Sequence, residues 1–254
     1  MAARFFGIPT LIHEQNVVPG VANKFLAHFV KGVALSFEDT RRYFKGCRRV
    51  RVTGNPIRPA IESASGEEAL RFFGFSEKKI TLLVLGGSQG AESINTVFFE
   101  VLNEFAAGVK DNLQVLHLCG KMAQSEAETR YAAAGVSAKV YSFFDRMDLA
   151  YAAAQVALGR AGATFLAEIK TKNIPAVLVP YPFAGGHQTM NAQAFKRENE
   201  AVIIPQAELN PRTLKNALEK YLTLGVSRRN PDSRPNQTPN ARAMLADFIL
   251  EIGK

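Results

Sequence analysis

The sequence has only two cysteines and no long apolar run, and both facts limit the kind of protein it can encode. Cys47 and Cys119 lack the spacing of a metal site, so we expect reduced thiols in a cytosolic protein. No run approaches the roughly 18 apolar residues that a membrane-spanning helix needs. Residues 1–16 have neither the apolar core nor the cleavage site of a secretory signal peptide.

The composition is that of a globular protein with a basic surface. The chain has 254 residues, of which 47% are hydrophobic and 21% charged, enough for two modest domains. Its net charge of +8 favours anionic partners, namely a nucleotide, a phosphate-bearing lipid or an anionic membrane face. No recognised nucleic-acid-binding module is visible, so we expect no nucleic acid partner.

Short apolar runs alternate with segments of helical spacing along most of the chain. They predict strands at residues 8–12, 33–36, 48–53, 80–85, 114–118, 139–143, 156–158, 176–179 and 202–204. This rhythm predicts an α/β fold with parallel sheets. The first three strands are too few for a complete doubly wound domain, so we expect the first domain to be incomplete. The predicted division is 1–62, 63–240 and a C-terminal helix at 241–254 that packs back on the first domain.

A turn of small residues lies near the start of the segment Val156–Asn191. Gly159 to Ala163 follow an apolar strand and precede a helix, so backbone N–H groups and a positive helix end are exposed there. Such a turn suits an anionic or hydroxyl-rich ligand. The alternative is a packing turn within a βαβ unit.

Polar side chains near this turn favour the ligand interpretation. Glu168 lies in the early part of the following helix, and His187 to Asn191 begin the next strand-to-helix loop. Two adjacent loops with convergent polar groups indicate a crevice for a ligand.

A second turn rich in glycine, Gly86–Ala91, follows the strand at 80–85. A first strand leading through such a turn into a helix is typical of phosphate binding. The turn lacks the Lys-Ser/Thr of a P-loop and the pattern G-x-G-x-x-G, so neither ATP hydrolysis nor a dinucleotide is indicated.

Five motifs occur in order along the chain, namely HEQNVVPG at 13–20, GNPIR at 54–58, GGSQGA at 86–91, RAGAT at 160–164 with Glu168, and HQTMNA at 187–192. Together they resemble those of the MurG family of bacterial N-acetylglucosaminyltransferases. Each motif alone is weak, but five in the same order and at matching spacing are specific. The resemblance extends over essentially the whole chain.

The resemblance implies a GT-B glycosyltransferase with two Rossmann-like domains around a cleft. The implied reaction is inverting transfer of N-acetylglucosamine from UDP-N-acetylglucosamine to the C4 hydroxyl of undecaprenyl-pyrophosphoryl-N-acetylmuramoyl-pentapeptide, a step of peptidoglycan synthesis. It also implies no cofactor, no essential metal, and a peripheral position on the cytoplasmic face of the plasma membrane.

By matched position, the resemblance assigns parts of the donor to particular residues. It implies Ser88 and Gln89 at the diphosphate, Arg160, Ala161, Gly162 and Ala163 along the nucleotide, Glu168 on the ribose, the Phe144 backbone at the uracil edge, His187, Gln188 and Asn191 on the sugar hydroxyls, and Asn16 and Arg58 across the cleft. The general base of the family lies in an N-terminal portion with no counterpart here, so the catalytic residues are unknown. We therefore expect this chain to be weakly active or inactive.

Structural alternatives remain for several residues. His13 and Glu14 fit a role in fixing their loop, Arg58 a surface hinge, and Asn191 a helix cap. Asn173 stands where the family has glycine at a helix end, a conformation that asparagine tolerates. The basic residues Arg41, Arg42, Lys45, Arg48, Arg49 and Arg51 fit an anionic membrane surface or a solvated face equally well.

Two other functions can be set against the same motifs, and one of them is compatible with all five. The chain could be the UDP-sugar-binding subunit of a two-chain glycosyltransferase, without catalysis of its own. A GT-B epimerase acting on the same sugar is disfavoured by the HEQN and GNPIR loops.

Overall fold

The computed structural model describes residues 2–85, 92–183, 185–223 and 240–254. The predicted turn Gly86–Ala91, with Ser88 and Gln89, lies outside the described residues. Within the described part of the chain, none of the helices combines the length and apolar character needed to cross a membrane.

The first unit is a parallel sheet of three strands in the order β1-β2-β3. The elements of this unit are α1 (Ala2–Phe5), β1 (Leu11–Glu14), α2 (Val21–Leu26), β2 (Gly32–Leu35), a 3₁₀ helix (Glu38–Phe44) and β3 (Val50–Val52). The predicted strand at 8–12 was placed too early, because His13 and Glu14 belong to β1 and not to the loop. Their pairing with Ala34 and Leu35 of β2 fixes the start of the HEQN loop.

Two helices join the two sheets. They are α3 (Pro59–Ser63) and α4 (Gly66–Phe73). Ser65 caps α4 by accepting a hydrogen bond from the Glu68 N–H, and Gly74 ends it in the left-handed conformation. Ile61 and Phe73 are buried in the core of the second unit, so both helices pack there. The division at residue 62 itself stays a prediction.

The second unit is a parallel sheet of six strands in the order β6-β5-β4-β7-β8-β9. The strands are β4 (Ile80–Leu85), β5 (Leu113–Leu118), β6 (Ser137–Tyr141), β7 (Val156–Gly159), β8 (Ala176–Leu178) and β9 (Ala201–Ile203). Strands β5 and β6 are added in turn on one side of β4, and β7, β8 and β9 are then added on its other side. This reversal is the topological switch of a Rossmann-like sheet, where ligands bind beyond the carboxyl ends of the strands.

Helices cover both faces of this second sheet. They are α5 (Glu92–Glu104), α6 (Ala107–Asp111), α7 (Gln124–Ala134), α8 (Met147–Ala153), α9 (Ala163–Thr171), α10 (His187–Glu198) and α11 (Pro211–Leu222), with a 3₁₀ turn at Gln206–Glu208. One face of the sheet packs on α5, α7 and α11, and the other on α3, α4, α8, α9 and α10. Helix α9 ends near Asn173, which has a φ of +52° and is the one non-glycine residue with positive φ among the described residues. The predicted tolerance of asparagine at this position is confirmed.

The last helix, α12 (Ala241–Gly253), returns to the first unit. Phe248 and Ile252 are buried against Ala34 of β2. A Cβ on Gly32 would lie 2.6 Å from the Cδ1 atom of Ile252, so the helix approaches the strand where there is no side chain. The chain therefore begins and ends in the same unit.

Candidate functional site

Two helices begin at the same edge of the second sheet, directly beyond the neighbouring strands β7 and β8. Gly162 precedes α9 and Gly186 precedes α10, and neither residue supplies a side-chain cap. The N–H groups of Ala163, Thr164 and Phe165 make no hydrogen bond to any described residue. Two adjacent helix N-termini, the first with three N–H groups that have no partner among the described residues, form an electropositive edge suited to phosphate.

Glu168 lies in α9 with only 8% of its surface exposed. The Tyr151 hydroxyl of α8 donates a 2.6 Å hydrogen bond to its Oε2 atom. Burial raises the pKa of Glu168, and the Tyr151 hydrogen bond and the positive charge of Arg58 partly oppose that rise. The carboxylate is therefore buried beside two polar groups, the Tyr151 hydroxyl and the Arg58 guanidinium. Its other oxygen, Oε1, makes no hydrogen bond to a described residue.

Arg160 is already bound by the protein. Its Nη1 atom donates to Gln206 Oε1 at 2.6 Å and to the Val179 carbonyl at 3.0 Å, and Nη2 donates to the Ser93 hydroxyl at 3.2 Å. Burial lowers the pKa of the guanidinium. The side chain therefore connects the residue after β8, helix α5 and the 3₁₀ turn at Gln206–Glu208. Only the backbone of Arg160 belongs to the turn between β7 and α9.

Gln188 links the two strand-to-helix loops. Its Oε1 atom accepts the Ala161 N–H at 3.1 Å and the Tyr181 N–H at 3.0 Å. One amide oxygen thus binds both the turn beyond β7 and the loop beyond β8. These two hydrogen bonds fix the relative positions of the two helix N-termini.

Asn191 is fully buried in α10 and is not a helix cap, so that alternative is wrong. Its Oδ1 atom accepts the Val17 N–H at 2.9 Å, and its Nδ2 atom donates to Asn16 Oδ1 at 2.9 Å and to the Ala161 carbonyl at 3.3 Å. Four helical residues earlier, the Nδ1 atom of His187 donates to the Val18 carbonyl at 2.6 Å. The structure therefore brings Asn16, Asn191 and Ala161 together across the two units.

The buried carboxylate of Glu14 accepts hydrogen bonds that stabilise the HEQN loop. Its Oε1 atom accepts the Asn16 N–H at 2.9 Å, and Oε2 accepts the Gly20 N–H at 3.1 Å and the Asn23 amide at 2.8 Å. The Nε2 atom of His13 donates to the Gly54 carbonyl at 3.1 Å, and burial lowers the His13 pKa. The alternative that His13 and Glu14 fix their loop is confirmed for both residues.

Phe144 lies in the loop beyond β6, two strands away from β4. Its ring packs against Tyr141 and Phe73, with centroids 4.7 and 5.5 Å away. Its backbone N–H and C=O make no hydrogen bond to any described residue. A main-chain donor and acceptor on a rigid aromatic support can pair with the edge of a base.

A cavity of about 500 Å³ lies beside this edge, between the two units. Its walls come from the ends of β2 and β3, the flanks of α9 and α10, and the start of α12. Of the predicted site residues that the structure describes, only Ala163 lines it, so the cavity and the candidate donor site are neighbours that share one helix end.

Sequence reasoning missed Tyr151, the residue in closest polar contact with Glu168. The available signal was a single hydroxyl in the apolar helix of Leu149 to Ala153, where a buried tyrosine needs a partner. The tight involvement of Arg160 with Gln206 was also missed, because nothing local in the sequence connects those residues.

Comparisons with known proteins identify the family of the chain. Residues 81–244 match the model of the glycosyltransferase family 28 C-terminal domain. The UDP-N-acetylglucosamine–N-acetylmuramyl-(pentapeptide) pyrophosphoryl-undecaprenol N-acetylglucosamine transferase of Halothermothrix orenii is 38% identical over 100% of this chain and 71% of its own length. The crystal structure of Acinetobacter baumannii MurG superposes with a TM-score of 0.74 at 29% identity, covering 98% of this chain and 70% of that one.

The chain belongs to the MurG family.

A more distant neighbour, the glycosyltransferase of kitacinnamycin, superposes with a TM-score of 0.65 over 100% of this chain and 73% of its own. At 13% identity it shows the fold alone. These neighbours are GT-B glycosyltransferases, and the predicted α/β fold of GT-B type is confirmed. As a member of this family, the chain is a glycosyltransferase.

Proposed function

We propose that this chain binds UDP-N-acetylglucosamine at the β7–β8 edge and belongs to an enzyme that transfers the sugar to undecaprenyl-pyrophosphoryl-N-acetylmuramoyl-pentapeptide. The observation that carries the proposal is the pair of helix N-termini beside Glu168, in a chain 38% identical to a transferase of that name over its whole length. The reaction would serve peptidoglycan synthesis.

The proposed donor pose follows the free polar groups. The diphosphate lies against the N-termini of α9 and α10, with Ser88 and Gln89 beside it by family resemblance. Glu168 accepts the ribose hydroxyls through Oε1, and the Phe144 backbone pairs with the uracil edge. The sugar lies nearest His187 and Gln188.

The chemistry needs charge stabilisation at the departing diphosphate. When the C4 hydroxyl of the acceptor attacks the anomeric carbon, the bond to the diphosphate oxygen breaks and UDP leaves with added negative charge. Backbone N–H groups and helix dipoles can stabilise that charge without a cation.

The base that accepts the proton of the attacking hydroxyl is not assigned to any residue. Among the described residues near the site, His187 donates to Val18, His13 to Gly54, and Glu168 accepts from Tyr151. We therefore expect donor binding with little or no turnover from the 254-residue chain incubated with donor and lipid acceptor. Rapid formation of disaccharide-lipid would contradict this expectation.

Binding without turnover also agrees with the second candidate, a UDP-sugar-binding subunit of a two-chain enzyme. The DNA upstream of Met1 separates the two. An in-frame extension encoding a glycine-rich loop favours the single-chain transferase, and a stop codon beside a small neighbouring gene favours the subunit.

We propose an anionic membrane face on the cytoplasmic side as the location of the reaction. The described residues Phe5, Phe6, Ile8, Val21 and Phe25 are exposed apolar side chains, all within the first unit. The basic residues named from the sequence support it less, because Arg41 pairs with Glu38, and Arg49 and Arg51 pair with Glu251. Co-sedimentation with anionic but not with neutral vesicles is the expected result.

The donor proposal is tested by calorimetric titration of UDP-N-acetylglucosamine. Glu168→Ala should weaken binding at least tenfold, because a charge-assisted hydrogen bond to the ribose is lost. Glu104→Ala, at an exposed acid near the end of α5, is the matched control and should bind like the wild type. Equal affinity in all three proteins would refute the assignment of Glu168, and no binding by the wild type would refute the donor site.

A further inference from the structure

The cavity between the two units extends away from the candidate donor site. Its wall on α9 includes Leu166 and Lys170, and its wall on α10 lies between Ala194 and Glu198, at the C-terminal end of that helix. Ala194 follows His187 by seven residues, a helical rise of about 10 Å. None of the described residues that the resemblance assigns to the ribose, the uracil or the sugar lines this cavity. The cavity is therefore a separate space and not a part of the donor crevice.

The charged side chains that line the cavity already have partners of opposite charge. The ion pairs are Glu38–Arg41, Asp39–Arg197, Glu62–Arg242 and Lys170–Glu198. An ionic ligand would compete with one of these pairs, whereas a neutral ligand leaves all four intact. The charges around the cavity therefore favour an uncharged occupant.

One buried amide on the wall of the cavity lacks a partner. Asn55 lines the cavity, and its Nδ2 atom is shielded from solvent without a hydrogen bond to any described residue. A buried donor without an acceptor is destabilising and rare in folded proteins. The lining hydroxyls of Ser36, Thr53 and Thr171 differ, because each makes a hydrogen bond within the chain. Rotation about the last side-chain bond of Asn55 would turn Nδ2 into the cavity, where an acceptor atom could meet it.

Much of the remaining wall is apolar. Both units contribute to it, through Phe37, Val52, Ile57, Leu166, Phe195 and Met244. A water molecule in these surroundings has few polar partners, although a buried water usually needs two to four. Sites for small molecules combine such apolar walls with few polar groups and have volumes of roughly 300–1,000 Å³. The cavity, at about 500 Å³, has the size and the lining of such a site.

We propose that the cavity between the two units is a second ligand site, which takes an uncharged and largely apolar molecule with one acceptor oxygen directed at Asn55. Binding replaces poorly bonded water by contacts with apolar side chains of both units, and it supplies the acceptor that the Asn55 amide lacks. The site is distinct from the donor site, and the proposal does not depend on which donor is bound.

Benzophenone locates the site in the full 254-residue chain. Under ultraviolet light this ketone forms a covalent bond at a nearby C–H group, and mass spectrometry of the digested protein then identifies the labelled residue. Saturable labelling of Leu166, Phe195 or Met244 is expected, since all three line the cavity. Labelling that does not saturate, or that is confined to exposed rings such as Phe143 and Phe183, would overturn the proposal.

Diphenylmethane tests the role of the oxygen, because it has the same pair of rings and a methylene group in place of the carbonyl. Measured as a competitor of the labelling, it should bind about fivefold more weakly than benzophenone, since it cannot accept a hydrogen bond. Asn55→Ala should remove most of this difference. Asn103→Ala, at an exposed asparagine of α5, is the matched control and should preserve it. Equal affinity of the wild type for both probes would overturn the proposal without any variant.

A larger side chain on the wall should close the cavity. Ala167 is a half-buried lining residue of α9, so Ala167→Leu should lower the labelling at least tenfold. Ala133→Leu makes the same change at an exposed position of α7 and should leave the labelling intact. Full labelling of a folded Ala167→Leu protein would overturn the proposal, and if that variant does not fold, the comparison of the two probes in the wild type decides.

A competition with UDP separates this site from the donor site. Saturating UDP should leave the labelling of the cavity unchanged, because the groups proposed for the ribose and the uracil do not line it. Displacement of benzophenone by UDP would mean that the probe occupies the donor crevice, and the second site would then be refuted. Failure of UDP to bind in calorimetry would instead count against the donor proposal alone.

Discussion

Tyr151 gives Glu168 a partner inside the protein, and this contact has a direct consequence for ligand recognition. The Tyr151 hydroxyl lies 2.6 Å from Oε2 of Glu168, and this hydrogen bond also fixes the direction of the other carboxylate oxygen, Oε1. A ribose diol would then meet an acceptor that is already oriented, which lowers the entropic cost of binding.

Tyr151→Phe should therefore weaken UDP binding about tenfold, because a hydrogen bond to a charged group is removed. The loss should be much smaller for 2′,3′-dideoxy-UDP, which has no diol to meet Glu168. Calorimetry with both ligands measures the difference, and Tyr43→Phe in the first unit is the control. An equal loss for both ligands would point to a general distortion of α8.

His117 makes stability depend on pH far from the site. It is fully buried in β5, its Nε2–H faces the Asn95 oxygen at 3.1 Å, and Tyr131 donates to Nδ1 at 2.9 Å. The Asn95 amide donates to the Cys119 carbonyl, which fixes its oxygen toward the histidine and so defines the neutral tautomer. Burial lowers the pKa of His117 from 6.5 to about 4.

Because the unfolded chain binds this proton near pH 6.5 and the folded chain does not until about pH 4, stability should fall as pH drops through that window. The full loss from this group is about 3 kcal/mol of unfolding free energy below pH 4. Urea denaturation between pH 7.5 and 4 would measure it. His117→Gln should flatten that part of the curve, and a slope as steep as the wild type would assign the dependence to other groups.

At the scale of elements, the contact between β4 and β7 sets the position of the candidate site. A Cβ on Gly159 would lie 2.7 Å from the Leu85 carbonyl oxygen, a backbone atom that cannot move without the strand. Gly162, three residues later, has open space at the same position and a φ of −68°.

Gly159→Ala should therefore destabilise the chain by about 1–3 kcal/mol, whereas Gly162→Ala should be near neutral. Urea denaturation followed by circular dichroism compares the same substitution at the two positions. If both changes are neutral, the strands separate more easily than this packing indicates.

The strands were predictable because each is a short apolar run bounded by polar or small residues. All nine predicted runs overlap strands β1 to β9, and their parallel pairing is confirmed. Helices α4 and α6 are harder to predict, since Gly66 and Gly108 resemble breaks and packing overrides that local preference. The order of strands was not predicted, because similar apolar runs do not specify their neighbours.

The candidate site was predictable in part for a related reason. Glycine-rich turns and helix starts are local, so the positions of Gly162 and His187 could be read from the sequence. The bonding of Asn191 could not, since its partner Val17 lies 174 positions away. Motif matching identifies such a residue, but only the fold shows which other parts of the chain it contacts.

At the scale of the molecule, α12 ties the end of the chain to its beginning. Phe248 is 2% exposed and packs with Ala34. The guanidinium carbon of Arg51 lies over the Phe248 ring, 4.6 Å from the centre of that ring. The first unit otherwise has a small core around Val33 and Leu35. Much of the stability of that three-stranded sheet therefore depends on a helix that reaches it from the far end of the sequence.

Phe248→Ala should destabilise the first unit by about 3–5 kcal/mol, because a fully buried aromatic ring is replaced by a cavity. The control is Ile249→Ala, one residue further along α12, where the side chain is 50% exposed and the loss should stay below about 1 kcal/mol. Hydrogen exchange measured by mass spectrometry separates the two sheets. Exchange should rise strongly at 32–35 and much less at 80–85, because β4 lies in a core that α12 does not enter. An equal rise in both would mean that the two sheets unfold as a single cooperative unit.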